Sequence, residues 1–273
     1  MSLRFWFKYR LSTYSTIIFF GSLGLFSVVV IAIIDSYDNE FSWHDIIVEA
    51  HGLVFDLLIF GILLSVFELI RNKNGKIEKY KAEIEDYIQI KNDESRVKII
   101  SNMGQLYDLG IRKFYLSGAY LKNASLDDFD LTNSVMILID MQAGSFVRSN
   151  LTNVELRHSN LKQVYFTGTL LKGANLSRCD CKKSFFTASD FTSCDLSNSD
   201  LSGANFIGCN YSRANFKNVK LDKAIVDDVD WFEILEGQNV EGIKDLKLKY
   251  FVDKTTMRNS EGLLTYKIRK NKR

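Results

Sequence analysis

The chain has 273 residues, with 35 Lys and Arg against 33 Asp and Glu, three His, four Cys and no Pro. The even charge balance argues against a surface that imitates nucleic acid by massed acid. No phosphate-binding Gly loop, nucleophile motif or metal-spaced His/Cys cluster is present, which argues against an enzyme or a resident cofactor.

Leu11 to Ile34 is 24 residues without a charge, long enough to cross a hydrocarbon core of about 30 Å. A cleaved signal peptide fits less well, because the run is too long and no small-residue cleavage site closes it. A second apolar stretch, Ile46 to Ile70, carries Glu49, His51, Asp56 and Glu68. Two transmembrane spans, about 12–34 and 46–70, are therefore expected in a hairpin over residues 1–71. Arg4, Lys8 and Arg10 precede the first, and Arg71, Lys73, Lys76, Lys79 and Lys81 follow the second. Asp35 to Asp45, between them, has four acidic residues and no Lys or Arg. The positive-inside rule then places both termini on the cytoplasmic side of the membrane.

Asp56 lies about 15 Å into the second span at 1.5 Å per residue, near the bilayer middle. A carboxyl group there costs roughly 2.5 to 3.5 kcal/mol on insertion scales, so it should face protein or water. Glu49, seven residues earlier, falls on nearly the same face, and Glu68 can reach the interface beside Arg71. Two readings of Asp56 lead, an interhelical hydrogen bond and an ion or proton pathway, with a wrongly placed span as the third. Both leading readings need several copies of the hairpin, so homo-oligomerisation is expected. The segment between the spans has nothing like the TVGYG potassium filter.

Residues 72–110 read as a helical connector. Ile77, Tyr80, Ile84 and Tyr87 make a short coiled-coil-like seam. A second helix is expected from an Asn92 or Asp93 cap to Gly104 or Gly110, with Val97, Ile100 and Met103 on its buried side. It either covers the open end of the next domain or packs on its flank.

From Leu116 to Trp231 every fifth residue is apolar, aromatic or Cys, 24 positions in phase. The residue two before each centre is small at 21 of them. A period of five suits neither a helix nor a strand but does suit a coiled solenoid with a narrow filled core. Cys179, Cys181, Cys194 and Cys209 all take inward positions and read as buried free thiols.

Leu171-Lys-Gly-Ala-Asn-Leu176 and Asp200-Leu-Ser-Gly-Ala-Asn-Phe206 resemble the A(D/N)LXX motif of pentapeptide-repeat proteins. The resemblance implies a right-handed quadrilateral β-helix of four pentapeptides per coil. Residues 111–233 would then form about six coils, a rod roughly 25 to 30 Å long. The stretch Glu49 to Gly61, continuing to Glu83-Ile-Glu-Asp-Tyr87, is similar to bacterial membrane-anchored pentapeptide-repeat proteins with this domain order. The expected fold class is thus α plus β-solenoid. Soluble relatives protect DNA gyrase by imitating DNA, which asks for an acidic rod. Residues 112–233 carry 14 acidic and 14 basic side chains, so gyrase is not the expected partner.

Residues 20 apart should stack on the outside of such a rod. Tyr165 and Phe185, with Val147, Ile207 and Ile225 nearby, form one apolar ridge, and Val135, Ile137 and Leu138 another; either suits a second copy or a partner. Arg157, His158, Lys162, Arg178, Lys182 and Lys183, with Gln163, form a basic corner. It is a candidate site for an anionic nucleotide, oligonucleotide or protein ligand; a solvated face balanced by Glu155, Asp180 and Asp195 is the simpler reading. Residues 234–273 read as a basic tail, which either binds an anionic partner or lipid or is an inert terminus.

Two functions remain open. One is a non-enzymatic oligomeric membrane effector, in which the β-helix senses a ligand or partner and the transmembrane bundle conducts ions or breaches the bilayer. Its plan resembles bacterial antiviral effectors in architecture alone. The alternative is a passive membrane-tethered scaffold for protein interaction.

Overall fold

With no Pro to break it, the apolar run after Ile46 continues into the charged seam as one helix, α1 (Trp43–Ile88). The computed structural model describes residues 22–26, 29–30, 32–33, 36, 43–258 and 262–271. They fall into two compact units, Met1–Ile77 and Glu78–Arg273.

In the first unit the residues described between 22 and 33 are helical, except that 27, 28 and 31 are not among them. They pack on α1 at Gly24, where an added Cβ would lie 3.4 Å from Leu57 Cδ1. Among the described residues one helix, over His51–Ile88, is long and apolar enough to cross a membrane, with a mean hydropathy of 2.5 in its apolar window. The expected first span, about 12–34, falls mostly outside the described residues, so one such helix is established and not two.

In the second unit α1 ends at Ile88 and α2 (Asp93–Asp108) follows. Asn92 caps α2 as its sequence position suggests: its side chain accepts the Ser95 N–H at 2.8 Å, and Ser95 Oγ returns the bond in a capping box. Of the residues expected on the buried side, Met103 is buried, Ile100 is half-buried and Val97 is not. Ser95, Ile99, Asn102, Met103 and Leu106 are buried while Val97 is exposed, because a 4-3-4 spacing tracks one helical face and the expected 3-3 spacing drifts off it. Of the two placements considered, α2 lies against the first coil. Tyr107 Oη accepts the Asp130 N–H at 3.2 Å, which no preceding coil can take, and Arg96 Nη1 donates to Lys122 O at 2.7 Å.

The solenoid follows from the pentapeptide. In each five residues the centre and the residue two before it point inward, and the residue between them bridges in parallel to the one 20 further on, from Tyr115↔Val135 to Asn205↔Ile225. The two residues after the centre make a turn closed by a bond such as Ala119 N–H to Leu116 O at 3.0 Å. Its second residue is left-handed, as in a type II turn, at Gly173 but also at Asn123, Leu138 and Arg148 (φ 58°, 61° and 57°). Only Gly enters this region freely, so the stacked ladder offsets about 1–2 kcal/mol at each bulkier residue. The N–H just after the centre has no ladder partner, and the Asp or Asn before the centre takes it: Thr132 N–H to Asp130 Oδ1 at 3.2 Å, Ser197 N–H to Asp195 Oδ1 at 2.9 Å. That explains the Asp/Asn of the motif.

The small inward position is often Ser or Thr for a similar reason. Ser149, Ser184 and Ser199 each donate at 2.6 Å to a carbonyl of the preceding coil, so a polar group is buried without an unmet bond. Phe146, Phe166, Phe186 and Phe206 stack along the core at 5.5, 4.8 and 5.4 Å between rings. At Gly144 an added Cβ would meet Ala124 O at 2.8 Å and Met141 Cε at 2.8 Å. Gly144→Val is expected to cost about 1–3 kcal/mol of overpacking, read as a lowered urea midpoint; an unchanged midpoint would show that the coil can expand there.

The ladder is regular to Ile225 and does not continue to residue 233. Val226 belongs to a two-residue strand, β1 (Ile225–Val226), and Trp231 opens α3 (Trp231–Gly237) instead of serving as a coil centre. Trp231 stays buried because its indole N–H finds Tyr211 Oη at 3.2 Å. The expected basic tail is corrected too. It folds as α4 (Ile243–Lys249), β2 (Tyr250–Arg258) and β3 (Leu264–Lys270), with antiparallel order β1-β3-β2. Ile268 exchanges backbone bonds with Lys223 and Ala224 at 2.8 Å, and Phe216 N–H bonds Glu241 O at 3.0 Å, so the segment closes the solenoid's last edge. Its charge did not reveal the buried Leu246, Tyr250 and Ile268 that hold it there.

In this hairpin Asp253 accepts the Thr255 N–H and pairs with Arg269, which hold its carboxyl down at about 2. A depressed folded value means stability that is full above the unfolded value near 3.9 and is lost as pH falls through 2. Acid between about pH 4 and 2 should loosen β2–β3, and Asp253→Asn should flatten that dependence in hydrogen exchange of the hairpin. An equally steep loss in the variant would contradict it.

Candidate functional site

In α1 the sequence places a carboxylate within an apolar run, and the structure leaves that run bare. Phe55, Leu63 and Phe67 are 64, 61 and 61 % exposed. Asp56 is exposed and makes no hydrogen bond or ion pair among the described residues. At 100° per residue it shares a face with Phe60, Leu63 and Phe67, away from the Val54 and Leu57 side that meets the Gly24 helix. The side chain of Glu49, its expected companion, lies outside the described residues.

On the solenoid Tyr165 and Phe185 stack as expected from the 20-residue spacing, with rings 4.8 Å apart and 7° from parallel, 46 and 37 % exposed. Val147 is half-buried, but Ile207 is buried on the last coil, where Asp227 Oδ2 accepts the Gly208 N–H at 2.6 Å. In the other ridge Val135 and Ile137 are half-buried and Leu138 stands out at 62 %. Tyr115, bridged to Val135 and equally exposed, extends that ridge; its place one coil before Val135 was the signal for it.

The basic corner is brought together, with half of its residues in ion pairs. Lys162 reaches Asp180 at 3.2 Å, and Lys182 bridges Asp180 and Asp200 at 3.3 and 3.2 Å. Hydrogen bonding to Asp200 and then Asp180 raises the Lys182 ammonium above its usual range. Arg157 pairs with Glu155 at 2.9 Å. His158, Arg178 and Lys183 sit exposed at left-handed corners, with no ion pair among the described residues. The balancing acids are Glu155, Asp180 and Asp200; Asp195, expected among them, instead takes the Ser197 N–H and bonds Asn215 Nδ2 at 2.9 Å.

The thiols are free, and Cys179, Cys181 and Cys194 are buried. Burial pushes Cys194 well up and Cys209 to about 12, so neither is poised as a thiolate. A feature that sequence reasoning missed is a cavity of about 540 Å³ within the second unit, where α1, α2 and the first coil meet. Its walls come from residues 81–85, 106–116 and 132–133, separate segments that no local pattern joins.

Five-residue sides, parallel bridges 20 residues apart and a filled interior define a four-sided β-solenoid carrying an N-terminal apolar helix. Residues 140–173, 149–180, 169–206 and 199–230 match the family model described as pentapeptide repeats (8 copies), so the segment 140–230 is built of pentapeptide repeats. No curated protein matches the chain. Among solved structures it is similar to the pentapeptide-repeat protein Rfr23 from the cyanobacterium Cyanothece 51142. Identity there is 16%, the TM-score 0.39, and the match covers 50% of this chain and 97% of that one. It is also similar to HetL of the cyanobacterium Nostoc sp. strain PCC 7120, a protein involved in heterocyst differentiation regulation (22%, TM-score 0.37, 45% and 52%). A third is a pentapeptide-repeat protein from the Arabidopsis thaliana thylakoid lumen (18%, TM-score 0.25, 46% and 77%). The chain thus spans about half the length of HetL.

Proposed function

We propose that the chain is a self-associating membrane protein whose α1 crosses the bilayer, with the solenoid on the cytoplasmic side as a sensing or docking body. The observation that carries this is the bare apolar surface of α1 with Asp56 set in it. In water that surface would be buried against protein; in a bilayer it needs no cover, and the carboxylate alone asks for a protein or water neighbour. Copies packed on the Asp56 face supply one, and a ring of such carboxylates favours passage of cations. α1 is one helix from the apolar run into the connector, which gives a bound partner a route to bias that bundle.

The test is ion flux from liposomes carrying the full-length protein. Flux is expected with the wild type and its loss with Asp56→Leu. No flux under any condition favours the second reading, a membrane-tethered scaffold, which the exposed Tyr165–Phe185 stack supports. Identical flux in both forms would remove Asp56 from the pathway.

A further inference from the structure

The cavity at the head of the solenoid has a two-sided chemistry. Ile84 of α1, Leu106 of α2 and Phe114 and Leu116 of the first coil form a buried apolar base, none more than 5 % exposed, and half-buried Ile111 with exposed Tyr115 give the apolar surface a ligand can touch. Lys81, Arg112 and Lys113 also line it, against the single acid Glu85. All of these residues belong to the second unit. A volume of about 540 Å³ is in the range that encloses a small organic molecule.

The cations are not equally committed. Lys81 pairs with Glu78 at 3.0 Å on the exposed side of α1. Arg112 lies with Cζ 3.6 Å over the Tyr107 ring and uses Nη1 on Tyr107 O at 2.6 Å, while its Nε and Nη2 make no hydrogen bond among the described residues. Lys113 is exposed, has no ion pair among the described residues, and rests 5.2 Å over the Tyr115 ring. A guanidinium fixed by packing, with donors to spare, is suited to a carboxylate.

We propose that this cavity binds a medium-chain carboxylate, its hydrocarbon chain along Ile111 and Tyr115 and its head group at Arg112 and Lys113. The excess of cations over Glu85 favours an anion over a neutral amphiphile. Because α1, α2 and the first coil all contribute wall, occupancy ties the helices to the solenoid's end. The inference stands on the second unit alone and does not depend on whether α1 conducts ions.

The experiment is calorimetric titration of the full-length protein in lipid nanodiscs with octanoate, with empty nanodiscs subtracted. Octanamide serves as the uncharged control and acetate as the chainless one. Saturable octanoate binding is expected, at least fivefold tighter than octanamide, with acetate failing to compete. Lys113→Glu, at an exposed residue that holds no structural contact beyond Tyr115, should weaken octanoate at least fivefold and leave octanamide unchanged. Ile111→Trp should block both by filling the space, with circular dichroism confirming the fold. Absence of saturable binding, equal binding of octanoate and octanamide, or an unaffected Lys113→Glu variant would overturn the proposal.

Discussion

Phe186→Ala is expected to destabilise the solenoid by about 3–5 kcal/mol, the range for truncating a fully buried aromatic residue. Phe186 has no exposure, stacks on Phe166 at 4.8 Å and Phe206 at 5.4 Å, and meets Phe191 at 5.1 Å. The interior is one side chain wide at each level, and the backbone is held by ladder bonds on both sides, so the coil cannot collapse into the space. Each coil also depends on its neighbours, and the loss spreads along the rod. Phe185, the preceding residue, points outward; Phe185→Ala should cost about 1 kcal/mol or less and act on association through the ridge. Urea unfolding of both variants tests the contrast, and equal losses would mean the inward and outward assignment is wrong.

Ile268→Asp is expected to have a comparably large effect of a different kind. Ile268 is fully buried, and its N–H and C=O close the last coil through Ala224 and Lys223. A carboxylate there has no partner, and burying an unpaired charge belongs with the changes that exceed about 4 kcal/mol. The hairpin should leave and bare β1 and the last coil as an open edge, a template for further chains. Light scattering should show aggregation, with loss of amide protection at Lys223, whose N–H donates to Ile268 O. A variant that keeps its assembly size and that protection would show that the hairpin is not the cap.

The five-residue period was readable because it repeats. Inward residues, stacked Tyr165 and Phe185, and buried thiols all follow once positions 20 apart are laid together. Asn92 was readable as a cap because capping is local. The C-terminal closure was not: ten basic residues after Gln238 masked Leu246, Tyr250 and Ile268, which are spaced for no single element and are buried only against coils far away in sequence. The basic corner was misjudged in detail for a related reason, since whether Lys182 meets Asp180 and Asp200 depends on side-chain reach across the ladder.

The sequence by itself determined the solenoid, its register and the apolar character of α1, because periodicity and hydropathy are properties of residue order. Only the tertiary structure decided where the repeat stops, what closes both ends, which charges remain free and that a cavity lies beside the first coil. Those depend on contacts between segments remote in the chain, which no local pattern encodes.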